Sequence, residues 1–100
     1  MIIRGTTPNM TFKLPFNADM LDTGYVVIQQ NKQTVIEKKL IECECGETTV
    51  TAKLTQEETL KLTTKVNAVI NIVVKTLGGE RVESLPIYER VEETSKNEVI

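Results

Sequence analysis

The chain has 100 residues, of which 40% are hydrophobic and 26% charged, with a formal net charge of -2: the size and balance of one ordinary domain. Val (11), Ile (9) and Thr (14) supply 34 residues and Ala only three, so stiff β-branched side chains dominate and a helical bundle is excluded. No His is present, which removes the commonest general base and metal ligand, and the slightly acidic balance leaves no basic footprint for nucleic acid.

In chain order, Ile2-Ile3 predicts a short first strand. Met10, Phe12 and Leu14 then alternate with Thr11 and Lys13, and Pro15 ends that strand by withholding a donor. Tyr25–Gln30 and Thr34–Ile41 read as two further strands joined by a tight turn at Asn31-Lys32-Gln33. Thr48–Leu54 shows the clearest alternation, with Val50, Ala52 and Leu54 on one face and Thr49, Thr51 and Lys53 on the wet one.

Thr55 followed three residues later by Glu58 is a capping box, so a short helix is predicted over about Thr55–Leu62. Two turns are not stable alone, and Leu60 with Leu62 or Val66 must dock them on the β core. Ala68, Ile70, Ile72 and Val74 share one face of a long strand whose other face carries Val69, Asn71, Val73 and Lys75. Apolar residues on both faces place it centrally in a sheet. Gly78-Gly79 supplies two residues able to take positive φ in a hairpin turn, and Arg81–Val91 returns as the last strand. Pro86 marks that strand as an edge or a bulge carrier.

The expected fold is therefore all-β: an immunoglobulin-like β-sandwich of about six to seven strands with one short helical crossover linking its sheets. A small barrel is the competing architecture. One domain is expected over residues 1–91, followed by a mobile polar tail over residues 92–100. The longest apolar region, Val66–Leu77, is broken by Asn67, Asn71 and Lys75 and falls short of the roughly 20 residues of a membrane span. Met1–Gly5 lacks the basic and apolar regions of a secretory signal.

Candidate chemistry is sparse. Cys43-Glu44-Cys45 is a possible soft-metal pair, but zinc needs four ligands and no further Cys exists, so Cys43 and Cys45 are rejected as a metal site. They are read instead as small hydrophobes on one side of an extended segment beside Ile41. Glu57-Glu58 and Glu92-Glu93 point neighbouring carboxylates in different directions and serve as caps or solvated groups. Lys38-Lys39 and Lys61 with Lys65, interleaved with Glu37, Glu42, Glu57 and Glu58, read as mixed solvated faces. Gly78-Gly79 joins strands and opens no phosphate-binding helix. The sequon Asn9-Met10-Thr11 is expected to be unmodified without a secretory signal. Tyr25 and Tyr88 are candidates for a sugar-stacking platform, with core or rim packing as the plainer reading. No catalytic residue and no cofactor is expected.

Three stretches carry a family resemblance: Met1–Pro8 (MIIRGTTP), Thr11–Phe16 (TFKLPF) and Leu54–Leu62 (LTQEETLKL). Together they resemble short proteins encoded by phages and prophages of Gram-positive bacteria. The crossover helix, long strand, glycine turn and closing strand are more distantly similar to the immunoglobulin-like N-terminal domain of phage baseplate upper proteins, in which Leu54-Thr55, Thr59 and Leu62 have counterparts. The resemblance implies a non-enzymatic structural or adaptor protein of a tail or baseplate, found in the bacterial cytoplasm during assembly and then in the virion. Its partners would be other phage structural proteins or further copies of itself, with neither nucleic acid nor membrane involved. The alternative is a carbohydrate-binding or surface-recognition module. Candidate partner-contact residues are Arg81, Glu83, Leu85, Pro86, Ile87 and Tyr88 on the expected edge strand, with the tail ordering on a partner.

Overall fold

A computed structural model describes residues 1–100, and its ten strands run in the order β1 (Ile2–Ile3), β2 (Asn9–Lys13), β3 (Leu21–Gln30), β4 (Gln33–Lys39), β5 (Glu44–Cys45), β6 (Thr49–Lys53), β7 (Ala68–Thr76), β8 (Arg81–Glu83), β9 (Ile87–Glu89) and β10 (Val91–Glu92). One helix, α1 (Gln56–Leu60), lies between β6 and β7. The β-branched composition thus becomes a mostly β domain, and the strand number exceeds the six to seven expected because Arg81–Val91 divides among β8, β9 and β10 and because Glu44–Cys45 pairs with β6 as an additional strand.

Two sheets carry the fold. In the larger, β4, β3 and β7 are consecutive neighbours, and both β8 and β9 pair with the far side of β7. In the smaller the order is β2-β6-β5, while β1 and β10 form a separate parallel pair. Val26, Ile28, Ile36, Ile70, Ile72 and Val74 from the large sheet and Phe12, Val50 and Ala52 from the small one belong to a single buried cluster. The period-2 pattern read from the sequence is what turns these residues inward while their neighbours stay wet.

The expected helix forms with its capping box intact. Glu58 N–H donates to Thr55 Oγ1 at 3.1 Å, and Thr55 N–H donates to Glu58 Oε1 at 2.9 Å. Leu62, just past its end, is 2% exposed, and burying a leucine contributes about 1.5–3 kcal/mol, enough to hold a helix too short to persist alone. Leu60 and Val66 are only half-buried. Thr59 is fully buried, its hydroxyl donating to Thr6 O at 2.8 Å, which fastens the helix to the N-terminal segment. The helix carries the chain from the small sheet to the large one, as the crossover reading required.

Several expected boundaries move. The β3–β4 hairpin turns on two residues, not three: Asn31 and Lys32 have φ of 53° and 63°, while Gln33 already pairs with Gln30. Two consecutive positive φ values define a turn whose twist matches the flanking strands. At Gly78-Gly79 only Gly79 has positive φ. Its N–H donates to Thr76 O and Thr76 N–H donates to Glu80 O, closing a three-residue loop with one glycine in the left-handed region. The strand expected through Ile41 stops at Lys39, and Leu40–Glu42 form a 3-10 turn.

The segment Arg81–Val91 is not one strand. Glu83 faces Val73 and Ile87 faces Ile70, so Ser84, Leu85 and Pro86 occupy the span that Asn71 and Ile72 fill on β7. One extra residue makes a bulge, with Pro86, which has no N–H, inside it. The disturbed ladder is repaired locally: Ile72 N–H donates to Ser84 Oγ at 3.0 Å, Ser84 N–H to Ile72 O at 2.9 Å, and Asn71 Nδ2 to Ser84 O at 3.1 Å. After Glu89 the chain leaves the large sheet, and Val91 pairs with Ile2 and Glu92 with Ile3. Glu92 therefore belongs to a strand, and the segment after the last strand starts at Glu93 rather than at the expected residue 92. Beyond it, Arg4 Nη1 donates to Glu93 Oε1 and Asn97 Oδ1, and Arg4 Nη2 donates to Leu60 O, so one guanidinium gathers the C-terminal residues and the helix end.

Candidate interaction surface

Strand pairing fixes which side chains share the outer face of the large sheet, because directly opposed residues point the same way. Across one row stand Lys39 on β4, Tyr25 on β3, Val73 on β7 and Glu83 on β8. The neighbouring row carries Glu37, Val27 and Asn71. A third contains Gln29, Val69 and Tyr88, and at the other end stand Thr23, Lys75 and Arg81. Val27, Val69 and Val73 are only half-buried, in contrast to the inner-face valines and isoleucines that alternate with them. The result is an apolar centre of valine and tyrosine flanked on both sides by charges of both signs.

Tyr25 sits in a groove of about 400 Å3 lined also by Thr23, Gly24, Val27, Glu37, Val73, Val74, Lys75 and Arg81. Gly24 lets the strands meet there, since a Cβ on it would stand 2.9 Å from Val73 O and from Val74 Cγ1. Tyr25 is 39% exposed and Tyr88 65%, so neither is a core residue. The two rings lie on one face but two strands and four residues apart, a separation of roughly 16 Å that no single sugar ring spans.

The six residues expected to contact a partner are all exposed, but the bulge divides them. Arg81, Glu83 and Tyr88 belong to the outer face through their pairing with Lys75, Val73 and Val69. Leu85 and Pro86 lie in the bulge, with Leu85 at 87% exposure. Ile87 is on the opposite side and lines a cleft with Met1, Met10 and Phe12. An edge interrupted by a bulge and a proline is a poor template for an added strand, so the contact residues are better described as part of a face than as a strand edge. Val27, Lys39, Val69, Val73 and Lys75 complete that face. The signal for Val69, Val73 and Lys75 was present in the half-apolar second face of the Ala68–Thr76 alternation, whereas Val27 and Lys39 join them only through the pairing of β3 and β4.

The cysteine reading changes. Cys43 is half-buried and packs against the core, whereas Cys45 is exposed and Ile41 is 89% exposed, so the three do not form one inward apolar side. Both thiols are free, and no group of three or more Cys, Asp or Glu side chains is gathered for a metal ion. Burial, with the neighbouring Cys45 and Glu42, pushes the Cys43 thiol up against the opposing pull of Lys38.

The Lys38-Lys39 pair also divides. Lys39 points outward, but Lys38 points inward and is buried, its Nζ 2.8 Å from Glu58 Oε1. Burial alone would raise the Glu58 carboxyl; the Lys38 ammonium and the backbone and hydroxyl bonds of Thr55 outweigh it and hold the group below the usual glutamate range. This pair joins the helix to an edge strand, and an inward-pointing charge there also discourages edge-to-edge pairing.

No helix is long and apolar enough to cross a membrane. Comparison with protein-family models, curated proteins and solved structures finds no significant match to this chain.

Proposed function

We propose that this chain is a non-enzymatic structural or adaptor domain of a phage or prophage particle, in its tail or baseplate, and that it acts through protein–protein contact. The observation that carries the contact reading is the uncovered sheet face centred on Tyr25, Val27, Val69 and Val73 and bordered by Lys39, Lys75, Arg81 and Glu83. An apolar centre inside a polar rim, with tyrosine and arginine available, is the composition of protein interfaces. The particle assignment rests on the resemblance carried by Met1–Pro8, Thr11–Phe16 and Leu54–Leu62. The passage from one sheet to the other through α1 supports the finer immunoglobulin-like reading of the fold. Mass spectrometry of purified, induced particles tests the proposal: the chain is expected among the particle proteins, and its absence ends the particle reading. A Val73→Lys chain, altered at the centre of the face, is expected to incorporate at least tenfold less.

A second reading, carbohydrate or surface recognition, is favoured by the exposure of Tyr25 in a groove with Glu37, Lys75 and Arg81 as polar neighbours. The roughly 16 Å between Tyr25 and Tyr88 limits it to an extended chain of sugars. Calorimetric titration with cell-wall polysaccharide that gives no heat, while particles contain the chain, decides for protein contact.

A further inference from the structure

We propose that the partner seated on the outer face of the large sheet is a second copy of this chain, docked face to face about a two-fold axis that runs along the strands between β3 and β7. The proposal rests on the protein-contact reading and names its occupant. The argument is the row Lys39, Tyr25, Val73, Glu83, whose register is set by the pairing of β4 with β3, β3 with β7 and β7 with β8. Such an axis exchanges β4 with β8 and β3 with β7, so the row meets its own reverse. Lys39 then stands over the second copy's Glu83, Tyr25 over its Val73, and each contact occurs twice. Opposite charges meet at both borders, and a large side chain meets a small one at both central positions.

The charges are available for this. Lys39 makes no ion pair within the chain, and Glu83 reaches only Arg81, at 3.9 Å between two exposed side chains. A two-fold interface uses one patch on both copies, so a surface patch has to be self-complementary to serve it. At one end Lys75 faces the uncharged Thr23 of the second copy, and Arg81 stands beyond the end of β4, diagonal to the second copy's Lys39, which is itself paired with Glu83. The size suffices as well. Four strand positions and the nine residues of β7 give a face of roughly 19 by 30 Å, and covering it on two copies buries on the order of 1,100 Å2, above the roughly 1,000 Å2 that a biological interface must clear and in the size class of weak, reversible contacts.

Sedimentation equilibrium of the full chain, from low micromolar to several hundred micromolar, is the test. A mass rising to twice the 11.2 kDa of the chain is expected, and a single-chain mass throughout overturns the proposal. Lys39→Glu and Glu83→Lys each place like charges opposite one another and are expected to raise the dimer Kd at least about tenfold. The double variant K39E/E83K restores both pairs and is expected to dimerise like the parent. Dimers indifferent to the single swaps, or a double variant that stays single-chain, place the contact elsewhere and overturn the assignment. Both residues are exposed, and circular dichroism of the single variants separates loss of association from loss of fold. Particle composition is measured independently, so a chain found in particles yet single in solution refutes the second copy and leaves the contact reading standing.

Discussion

Lys38 and Glu58 join the edge strand β4 to the helix α1 through one ion pair, Nζ to Oε1 at 2.8 Å, with side-chain exposures of 10% and 20%. The same carboxylate oxygen accepts the Thr55 N–H, so it caps the helix and neutralises an inward lysine at once. Glu58→Gln retains an acceptor for the cap and removes the charge. It is expected to destabilise the fold by about 1–2 kcal/mol at neutral pH, because a largely buried ammonium loses its partner. The folded-state pKa of Glu58 is lowered, so its contribution is present above the ordinary value of 4.5 and is lost as pH falls below it through the folded value. Urea unfolding at pH 7 and again on the acid side of 4.5 should show the parent losing this increment and Glu58→Gln having none to lose.

Ser84→Ala tests the bulge. The Ser84 hydroxyl is the acceptor for the Ile72 N–H, and removing it strands a donor in the middle of the central strand. A loss of about 1–3 kcal/mol is expected, together with faster hydrogen exchange at the Ile72 amide. Unchanged exchange there would show that another acceptor serves the donor.

Gly24→Ala places a Cβ 2.9 Å from the Val73 carbonyl oxygen and the Val74 methyl. The backbone atom does not swing aside as a flexible side chain would, so β3 and β7 must separate locally. Overpacking of this kind costs about 1–3 kcal/mol, read as a lower midpoint in denaturant unfolding.

Lys32→Gly relieves a side chain held at φ 63°. The left-handed region costs an ordinary residue about 1–2 kcal/mol, part of which is offset by the greater freedom of glycine in the unfolded chain. A net gain of about 0.5–1 kcal/mol is expected from thermal or denaturant unfolding.

The two thiols should differ in reactivity. Cys43 is half-buried with its pKa raised, first by burial and then by Cys45, whereas Cys45 is exposed. Because thiolate is the reactive form, alkylation near neutral pH followed by peptide mass spectrometry should modify Cys45 several-fold faster. Equal rates would place both thiols in the same environment.

Local pattern in the sequence determined the β class, the inward sets Val50, Ala52 and Leu54 and Ala68, Ile70, Ile72 and Val74, the capping box at Thr55 and Glu58, and Pro86 as a mark of an edge or bulge. These depend on side-chain period and on hydrogen bonds between residues three apart, which a single stretch of chain contains. Only the tertiary structure decided the split of Arg81–Val91, because a bulge exists by reference to the partner strand, and one extra residue between Glu83 and Ile87 is invisible until Val73 and Ile70 stand opposite. It also separated Lys38 from Lys39: adjacent residues in a strand face opposite ways, and what covers each face, α1 on one side and open surface on the other, comes from elements far along the chain. The row Lys39, Tyr25, Val73 and Glu83 has the same origin. The composition of 34 β-branched residues determined that this protein would be made of sheets; the register of four strands decided which residues stand together on the uncovered face.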